Sequence, residues 1–535
     1  PGGLQLAYFL GKNSIDYLVL DKADVPGSTF QTFPRHRTLI SINKRFTGSD
    51  HPEFNMRHDW NSLLCDDDDF RFKLYDKQFF PHADSLVNYI ADYAERHRLN
   101  VRYNTKISVI QRSGDSYTLQ AEDGQKFQCD ILIVATGLSR PNVPMIKGIE
   151  HTENYADMSL DQDEFENQRV LIIGKKNSAF ETAEHIVSNA ALIHLCSPKS
   201  IRMAWKTHYV GDLRAINNNI LDTYQLKSQN AVLDAEVIAI EKQGDKLRVT
   251  FRYGHAEGEV EKIEYDRVLC CAGFKFDSSI FAEDTRPALM YNDKYPELKP
   301  NFESVNCPNM FFAGTVTHSL DYRKATSGFI HGFRYNSRAL ANLLLEHYEG
   351  VALEKFTIAL DAEQITERVL DRVNHSGGLW QQPGFIADVA VHTGSGFTYI
   401  KELPKNYITS NTFEGSSDLY VLTLEYGAPI MGDPFAVERI HRKNVDAADA
   451  SQFLHPVVRR YYNGVLVARH DVIEDLEATW VESEHVEPLK AFFIRQLMNN
   501  EPREKYQEKM YSHDTIYHDP VMMHKKAEIK AMEMG

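Results

Sequence analysis

The 535-residue sequence has room for about three to four domains, and its 43% hydrophobic and 25% charged residues are typical of a globular protein. Lys and Arg total 59 against 75 Asp and Glu, so the formal net charge of −16 argues against nucleic-acid and anionic-membrane partners. No apolar run is long enough to span a bilayer, which argues against an integral membrane protein. Six Cys without metal-type spacing predict neither a disulfide framework nor a metal centre.

The segment from Pro1 to Asp21 has the pattern of a helix followed by a short buried strand, the second half of a βαβ unit. In a dinucleotide-binding unit, such a helix follows a strand and a Gly-x-Gly-x-x-Gly turn. Gly2 and Gly3 fit the tail of that turn, so we expect the first strand and two glycines of an FAD domain to be missing from this sequence. Gly3 would allow close helix packing, and Asp21 would bind an adenosine ribose. The alternative is an ordinary loop followed by a strand-end acid.

A second unit of this kind begins at RVLIIGKKNSAFETAEH (169–185). A buried strand runs into Gly174, and Asn177 or Ser178 is the candidate cap of the following helix. The free amides at such a helix start bind a pyrophosphate. Lys176 stands where the fingerprint has Gly, so its side chain would either contact the phosphate or block it.

The next strand, in AALIHLCSPKS (190–200), is followed by hydroxyl and cationic groups. Ser197, Lys199 and Arg202 suit a ribose 2′-phosphate better than a bare hydroxyl, which favours NADPH over NADH. The alternative interpretation is a solvated basic loop.

Three further segments fit a flavoprotein with two dinucleotides. CDILIVATGLSRPNVP (129–144) is a strand that runs into Thr136 and Gly137, and YDRVLCCAGF (265–274) repeats the pattern with Gly273. The segment 309–344 predicts a strand, a turn at Gly314 and a long helix whose first amides face the flavin.

Several segments between residues 1 and about 350 resemble the flavin-containing monooxygenase superfamily. Within it they resemble the FAD-dependent oxidoreductase domain-containing proteins, which include an endoplasmic-reticulum flavoprotein associated with degradation. The segments are PRHRTLISINKRFTG (34–48), EFNMRHDWNSLL (53–64), VATGLSRPN (134–142), GKKNSAFETAE (174–184), THYVGDLRAINN (207–218), LDTYQLKS (221–228) and SLDYRKATSGFIHGFRY (319–335).

Together, the motifs and the resemblance predict an α/β fold with two Rossmann-like dinucleotide-binding domains and a C-terminal β-rich or α+β module. Residues 1–160 and 281–350 would form the FAD-binding domain, and residues 161–280 the NAD(P)H-binding domain. Residues 351–535 would form the accessory module.

The resemblance implies that NADPH reduces FAD and that the electrons pass to O2 or another acceptor, with possible oxygenation of a small-molecule substrate. Asn43 matches an Asn beside the flavin, where its amide would stabilise oxygenated flavin or orient nicotinamide. The alternative is that Asn43 and Lys44 satisfy turn backbone. His318 and Asp321 follow the Gly314 turn, where the flavin ring should lie. Asp321 would hydrogen-bond near that ring, and His318 would transfer protons or serve the structure.

Two departures keep other functions open. Animal members of the family have Gly in place of Lys176, and the monooxygenase fingerprint FxGxxxH is absent from TENYADMS (152–159). A flavoprotein reductase or oxidase that acts with a protein partner, and a non-enzymatic binder, therefore remain alternatives. A disulfide reductase is disfavoured because Cys270 and Cys271 are neighbours on an apolar strand, which predicts core packing.

The C-terminal pattern predicts a helix at 354–375, a linker or turn at 376–384, strands at 385–394, 397–403, 417–427 and 462–474, and a helix at 486–500. A charged, Met-rich surface extension would follow. This module would cover the active site, form a homodimer or bind a protein partner. Animal relatives carry a C-terminus that resembles an endoplasmic-reticulum retention sequence, whereas this sequence ends AMEMG. Localisation is therefore open between the cytoplasm, which is the default, and the endoplasmic-reticulum lumen.

Overall fold

The computed structural model describes residues 1–225, 229–410, 417–427, 433, 438–499 and 505–508. It divides into two compact units. Unit 1 comprises Pro1–Leu353 and Ser376–Ile386, and unit 2 comprises Glu354–His375 and Ala387–Gly535. Most of the C-terminal extension predicted from the sequence lies outside the described residues.

The α-helices within the described ranges are α1 (Gly2–Lys12), α2 (Thr29–Thr32), α3 (Pro52–Met56), α4 (Ala83–Arg96), α5 (Asn177–Ile186), α6 (Ala204–Thr207), α7 (Ile220–Gln225), α8 (Ile330–Glu349), α9 (Ala362–His375), α10 (Gly377–Gln381), α11 (Lys405–Ser410) and α12 (Ser483–Met498). None of them combines the length and the apolar character needed to cross a membrane.

The strands of unit 1 are β1 (Val19–Leu20), β2 (Val101–Arg102), β3 (Ile107–Ser113), β4 (Ser116–Ala121), β5 (Lys126–Cys129), β6 (Leu132–Val134), β7 (Arg140–Pro141), β8 (Glu153–Asn154), β9 (Arg169–Ile173), β10 (Leu192–Ser197), β11 (Ala231–Asp234), β12 (Glu236–Gln243), β13 (Lys246–Tyr253), β14 (Glu259–Tyr265), β15 (Arg267–Cys270), β16 (Phe274–Lys275), β17 (Leu289–Met290), β18 (Tyr295–Pro296) and β19 (Met310–Phe312). Those of the six-stranded sheet are β20 (Phe356–Ala359), β21 (Ile386–His392), β22 (Gly396–Pro404), β23 (Asp418–Tyr426), β24 (Leu454–Tyr462) and β25 (Val465–Asp471).

A five-stranded parallel sheet in the order β11-β10-β9-β15-β8 forms the second dinucleotide-type domain of unit 1. Its central strand β9 is buried on both faces, which is why its sequence is a continuous apolar run. Val170 packs against Phe180 of α5 on one face. Leu171 packs against Phe251 of the antiparallel sheet β12-β13-β14 on the other.

The first dinucleotide-type domain contains the parallel pairs β1–β2 and β6–β19, the antiparallel sheet β3-β4-β5, and the helices α1, α4 and α8. Leu4 of α1, Tyr89 of α4 and Phe333 of α8 share one buried core. The predicted α/β fold with two dinucleotide-type domains and a β-rich C-terminal part is therefore confirmed.

Unit 2 is built on an antiparallel sheet in the order β20-β22-β21-β23-β24-β25. Helix α12 covers part of it, and Phe493 contacts Tyr420 with ring centroids 5.7 Å apart. Arg372 of α9 is buried between Asp388 and Glu402, at 2.6 Å and 2.9 Å. The core of unit 2 therefore contains buried charged side chains as well as apolar ones.

Local predictions for this region were partly wrong. The predicted helix at 354–375 begins instead with β20, which pairs with β22, and α9 follows. The predicted linker at 376–384 contains α10. Strand β24 was not predicted, because Arg459 and Arg460 interrupt its apolar pattern. Both arginines are buried through ion pairs with Glu425 and Asp418 of β23.

Candidate functional site

Three turns of unit 1 meet at the start of α1. A Cβ atom added to Gly2 would lie 2.3 Å from Cα of Gly314, and one added to Gly3 would lie 3.2 Å from Cβ of Ala135. Gly314, directly after β19, has a φ of +77°, a conformation that favours glycine. The turn after β6 contains Thr136, which is exposed, and Gly137, which is partly buried. The first turn of α1 therefore meets two strand ends, and no side chain separates the backbones of Gly2 and Gly314, an arrangement that suits a bound pyrophosphate.

Asp21 directly follows β1, as expected for a ribose-binding acid. Its Oδ1 accepts a hydrogen bond from the Ala23 amide at 2.9 Å. Strand β1 is parallel to β2, so Asp21 lies at the carboxyl end of this pair.

The second nucleotide-type turn joins β9 to α5 at Gly174. Gly174 has a φ of +139°, and a Cβ atom there would lie 2.5 Å from the carbonyl oxygen of Cys271. Gly273, two residues further along that neighbouring turn, has a φ of +83°. Glycine at position 174 is therefore required by the close approach of the turns after β9 and β15.

Asn177 anchors a neighbouring segment and does not cap α5. Its Nδ2 donates to the carbonyl of Asp212 at 2.9 Å, and its Oδ1 accepts from the amide of Arg214 at 2.9 Å. Helix α5 begins at Asn177, with Lys176 at the N-cap position and no side-chain cap. The predicted cap at Asn177 or Ser178 is therefore not formed. We refer to the anchored segment, residues 202–217, as the strap.

Lys176 also contacts the strap. Its Nζ lies 3.1 Å from Oδ1 of Asp212, a fully buried carboxylate, while 49% of the Lys176 side chain stays exposed. Oδ2 of Asp212 pairs with Nε of Arg202 at 3.2 Å and accepts from Oγ1 of Thr207 at 3.0 Å. Asp212 therefore neutralises part of the positive charge at the start of α5.

The three groups predicted to bind a 2′-phosphate separate into two places. Ser197 ends β10, and its Oγ donates to the carbonyl of the exposed Lys199 at 3.1 Å. Arg202 lies instead beside Lys176, through their common partner Asp212. Ser197 and Lys199 thus remain together at the carboxyl end of β10, where a dinucleotide ribose binds in such sheets.

A buried hydrogen-bonded chain joins the strap to the Gly314 turn. Oη of Tyr209 lies 3.0 Å from Nε2 of His318, and Nδ1 of His318 lies 2.9 Å from Oδ1 of Asp321. The Arg323 amide also donates to Nε2, at 3.3 Å, and the Ser327 amide donates to Oδ2 of Asp321, at 3.1 Å. Nε2 of His318 is thus an acceptor, which assigns the proton to Nδ1 and makes His318 a donor to Asp321.

The hydrogen-bonded chain Tyr209–His318–Asp321 can hold a proton and transfer it. Tyr209 is 8% exposed, His318 1% and Asp321 3%, so bulk water is excluded from all three. Burial holds the pKa of Tyr209 well above its usual value, so the phenol stays protonated. The structure brings together His318 and Asp321, which the sequence singled out, and adds Tyr209, which it did not.

Asn43 and Lys44 lie in a different environment. Nδ2 of the buried Asn43 donates to the carbonyls of Asp76 and Gln78, at 2.8 Å and 3.2 Å. Lys44 is exposed. The side-chain amide of Asn43 therefore holds the backbone of the segment from Asp76 to Gln78. The proposed role of Asn43 beside a flavin stays a prediction.

His331 lies in the first turn of α8. It is 1% exposed, and burial lowers the pKa of its ring well below the usual value, partly opposed by a hydrogen bond with the Trp60 backbone. Its ring stacks on that of Trp60, with ring centroids 4.4 Å apart. The guanidinium of Arg214 in the strap lies 5.0 Å from the Trp60 ring centroid. Its imidazole therefore stays neutral and is held among aromatic and cationic neighbours at the start of α8.

Helix α8 itself starts later than the sequence pattern suggests. A 3-10 turn, Gly314–Ser319, and a loop follow β19, and α8 begins only at Ile330. The intervening loop contains Asp321. Its carboxylate accepts a hydrogen bond from the Ser327 amide, which is therefore not available for a helical hydrogen bond.

The six cysteines are all free, and none is activated. Burial raises the pKa of every one, to about 11 for Cys129 and about 12 for Cys196. Cys270 and Cys271 are both buried, in agreement with the predicted core packing. Because the thiolate is the reactive form, these thiols are poor redox nucleophiles.

A titratable contact joins Glu181 of α5 to the buried Tyr155. Oη of Tyr155 donates to Glu181 and accepts from the Arg35 amide at 3.1 Å. Burial raises the pKa of Glu181 from 4.5 to about 7. A raised carboxyl pKa contributes stability that is complete below the unfolded value of 4.5 and is lost as pH rises through about 7.

We therefore expect Glu181→Gln to gain thermal stability over the parent as pH rises, because the amide keeps the acceptor for Tyr155 without a charge. Thermal unfolding between about pH 5 and pH 8 measures this gain. Glu184→Gln on the same helix is the matched control and should show no such trend. A Glu181→Gln advantage that is independent of pH would contradict the expectation.

Residues 1–314 match the pyridine nucleotide-disulphide oxidoreductase family. FAD-dependent oxidoreductase domain-containing protein 2 of Mus musculus is 36% identical over 567 residues, covering 96% of this chain and 84% of that protein. The protein of the same name from Danio rerio is 35% identical, covering 92% of this chain and 81% of that protein. A solved bacillithiol disulfide reductase from Staphylococcus aureus is 18% identical with a TM-score of 0.47, covering 65% of this chain and 96% of that chain. This structural likeness is too weak to bear on function.

Proposed function

This chain belongs to the pyridine nucleotide-disulphide oxidoreductase family, and within it we propose that the protein is an FAD-dependent enzyme that oxidises NADPH. The observation that carries the proposal is the strap, which contacts both the α5 turn and the turn after β19 through Asn177 and Tyr209. The strap thereby holds two nucleotide-type turns beside the buried hydrogen-bonded chain Tyr209–His318–Asp321. FAD is also named for the Mus musculus and Danio rerio relatives.

The residues present fit FAD. The side-chain-free contact of Gly2 with Gly314 would receive the pyrophosphate, with Gly3 and the Thr136–Gly137 turn beside it. Asp21 would accept hydrogen bonds from the ribose. The buried His331, at the start of α8, would lie beside the flavin.

The α5 turn would hold NADPH. Its first amides have no side-chain cap, and Ser197 and Lys199 lie at the end of the adjacent β10. When bound, FAD supplies the redox chemistry, taking hydride from NADPH and passing electrons to an acceptor. His318 would accept or return the accompanying proton at Nε2, with Tyr209 as its exchange partner and Asp321 orienting the ring.

We propose O2 as the electron acceptor, with oxygenation of a small substrate as the monooxygenase-like outcome. The free, buried cysteines support this choice over dithiol exchange, because burial holds their pKa values above normal. The test is NADPH oxidation under labelled O2 in the presence of amine or thioether substrates. Label in the product supports oxygenation, and label only in hydrogen peroxide identifies an oxidase.

Lys176 is expected to assist nucleotide binding, because its half-exposed ammonium lies at the start of α5. Lys176→Met should weaken NADPH binding by about tenfold, the effect of losing one charge-assisted hydrogen bond. Titration of NADPH by fluorescence measures the dissociation constant, and Lys176→Arg should remain near the parent. Tighter binding by Lys176→Met would instead show that the side chain obstructs the nucleotide.

A further inference from the structure

The β17–β18 hairpin has an unusual turn. Tyr291, Asn292 and Asp293 have φ values of 55°, 57° and 59°, so three consecutive non-glycine residues are left-handed. Such residues pay a conformational cost and persist where the surrounding structure holds them in place. The turn ends at Lys294, whose position is therefore fixed by a strained backbone.

Aromatic contacts hold this turn against the loop that carries His318. The ring of Tyr291 stacks on Tyr322 at 4.1 Å and 29°. Tyr295, at the end of the turn, makes edge contacts with His318 and with Tyr322, each at 5.7 Å. The hairpin turn and the His318 loop therefore form one aromatic wall.

Three cationic side chains lie close to aromatic rings in and beside this wall. Nζ of Lys294 lies 5.4 Å from the Tyr295 ring centroid, and the guanidinium of Arg323 lies 5.1 Å from that of Tyr322. Lys176 approaches Tyr209 from the α5 side, at 5.9 Å.

These cations exceed the carboxylates available to them. Within the described ranges of the chain, no carboxylate forms an ion pair with Lys294 or Arg323, and Lys176 shares Asp212 with Arg202. Burial, together with the charges of Lys176 and Arg323, lowers the pKa of Lys294 to about 8. Each of the three cations lies over an aromatic ring that contacts His318, so they surround one imidazole and repel one another.

We propose that Lys176, Lys294 and Arg323 form a binding site for an oxyanion beside the His318–Asp321 pair. An anion bound there would relieve the repulsion among the cations and gain charge-assisted hydrogen bonds. The exposed face of Tyr291 and the ring of Tyr322 would contact the planar group that carries the anion. The anion is either a phosphate of the nucleotide or the acid group of the substrate. The inference rests on the proposed function only for this choice of carrier.

Calorimetric titration of the full chain with inorganic pyrophosphate tests the site directly. Lys294→Met should weaken pyrophosphate binding by about tenfold without lowering the thermal midpoint, because it removes a repelled charge. Lys299→Met is the matched control, since Lys299 is exposed and paired with Glu303 at 2.8 Å, and it should bind like the parent. Equal binding by the parent and Lys294→Met, or no binding by either, would overturn the site.

Competition identifies the carrier. Displacement of pyrophosphate by NADPH would assign the site to a nucleotide phosphate. Displacement by benzoate but not by NADPH would assign it to an acidic aromatic substrate. If NADPH fails to reduce the protein while pyrophosphate binding still depends on Lys294, the proposed function fails and the anion site stands.

Discussion

Replacing Asp321 with Asn is expected to slow NADPH-dependent turnover by about a hundredfold, the usual contribution of positioned acid–base groups. Oδ1 of Asp321 holds Nδ1 of His318 at 2.9 Å, and both groups are buried. An amide would present either an N–H or an oxygen to that nitrogen, so Nε2 would no longer be held as the acceptor toward Tyr209. Steady-state and stopped-flow measurements give the loss in kcat.

Asp321 acts through His318 and is thus a positioning residue, so the pH profile distinguishes its role from simple instability. Loss of the oriented imidazole should change the pH dependence of kcat while leaving KM for NADPH near the parent value. Asp245→Asn, in the exposed turn between β12 and β13, is the control and should leave both parameters unchanged. An Asp321→Asn protein with parental turnover and pH profile would exclude the Tyr209–His318–Asp321 chain from the reaction.

The largest stability effect is expected in unit 2. Arg372→Leu should lower its free energy of unfolding by about 3–5 kcal/mol, because removing one partner leaves buried charges uncompensated. Arg372 is 5% exposed, Asp388 0% and Glu402 6%, and Tyr399 also donates to Asp388 at 2.9 Å. Urea denaturation measures the loss.

Arg368→Leu on the same helix is the matched comparison for Arg372→Leu. Arg368 pairs with Asp371 at 3.5 Å on the surface, with 35% and 52% of the two side chains exposed. An exposed pair of this kind contributes about 1 kcal/mol or less. Equal losses from the two substitutions would contradict the assignment of the Arg372 cluster as a buried ionic network.

The sequence is informative where local pattern and structure coincide. The run RVLIIG predicts β9 because a parallel strand covered on both faces is apolar throughout, and its glycine marks the turn into α5. Strand β24 lacks such a pattern, because Arg459 and Arg460 are neutralised by partners on another strand. Burial of charge depends on tertiary neighbours, which residue periodicity does not contain.

The candidate site likewise contains some residues that the sequence identifies and others that it does not. His318 and Asp321 lie three positions apart and follow a recognisable turn, so the sequence singles out both. Tyr209 lies 109 positions from His318 and joins it only when the strap folds back. The position of Lys294 is set by three consecutive residues with positive φ. None of them is a glycine, so the sequence does not indicate this turn.

The visible spectrum of the flavin-loaded protein, recorded anaerobically before and after NADPH, tests the central claim most directly. We expect a bound oxidised flavin that NADPH bleaches, because we propose that the α1 turn binds FAD and that the α5 turn binds NADPH. A flavin that stays yellow with NADPH but bleaches with dithionite would contradict nicotinamide binding at the α5 turn. A colourless protein that cannot be loaded with FAD would contradict the redox function altogether.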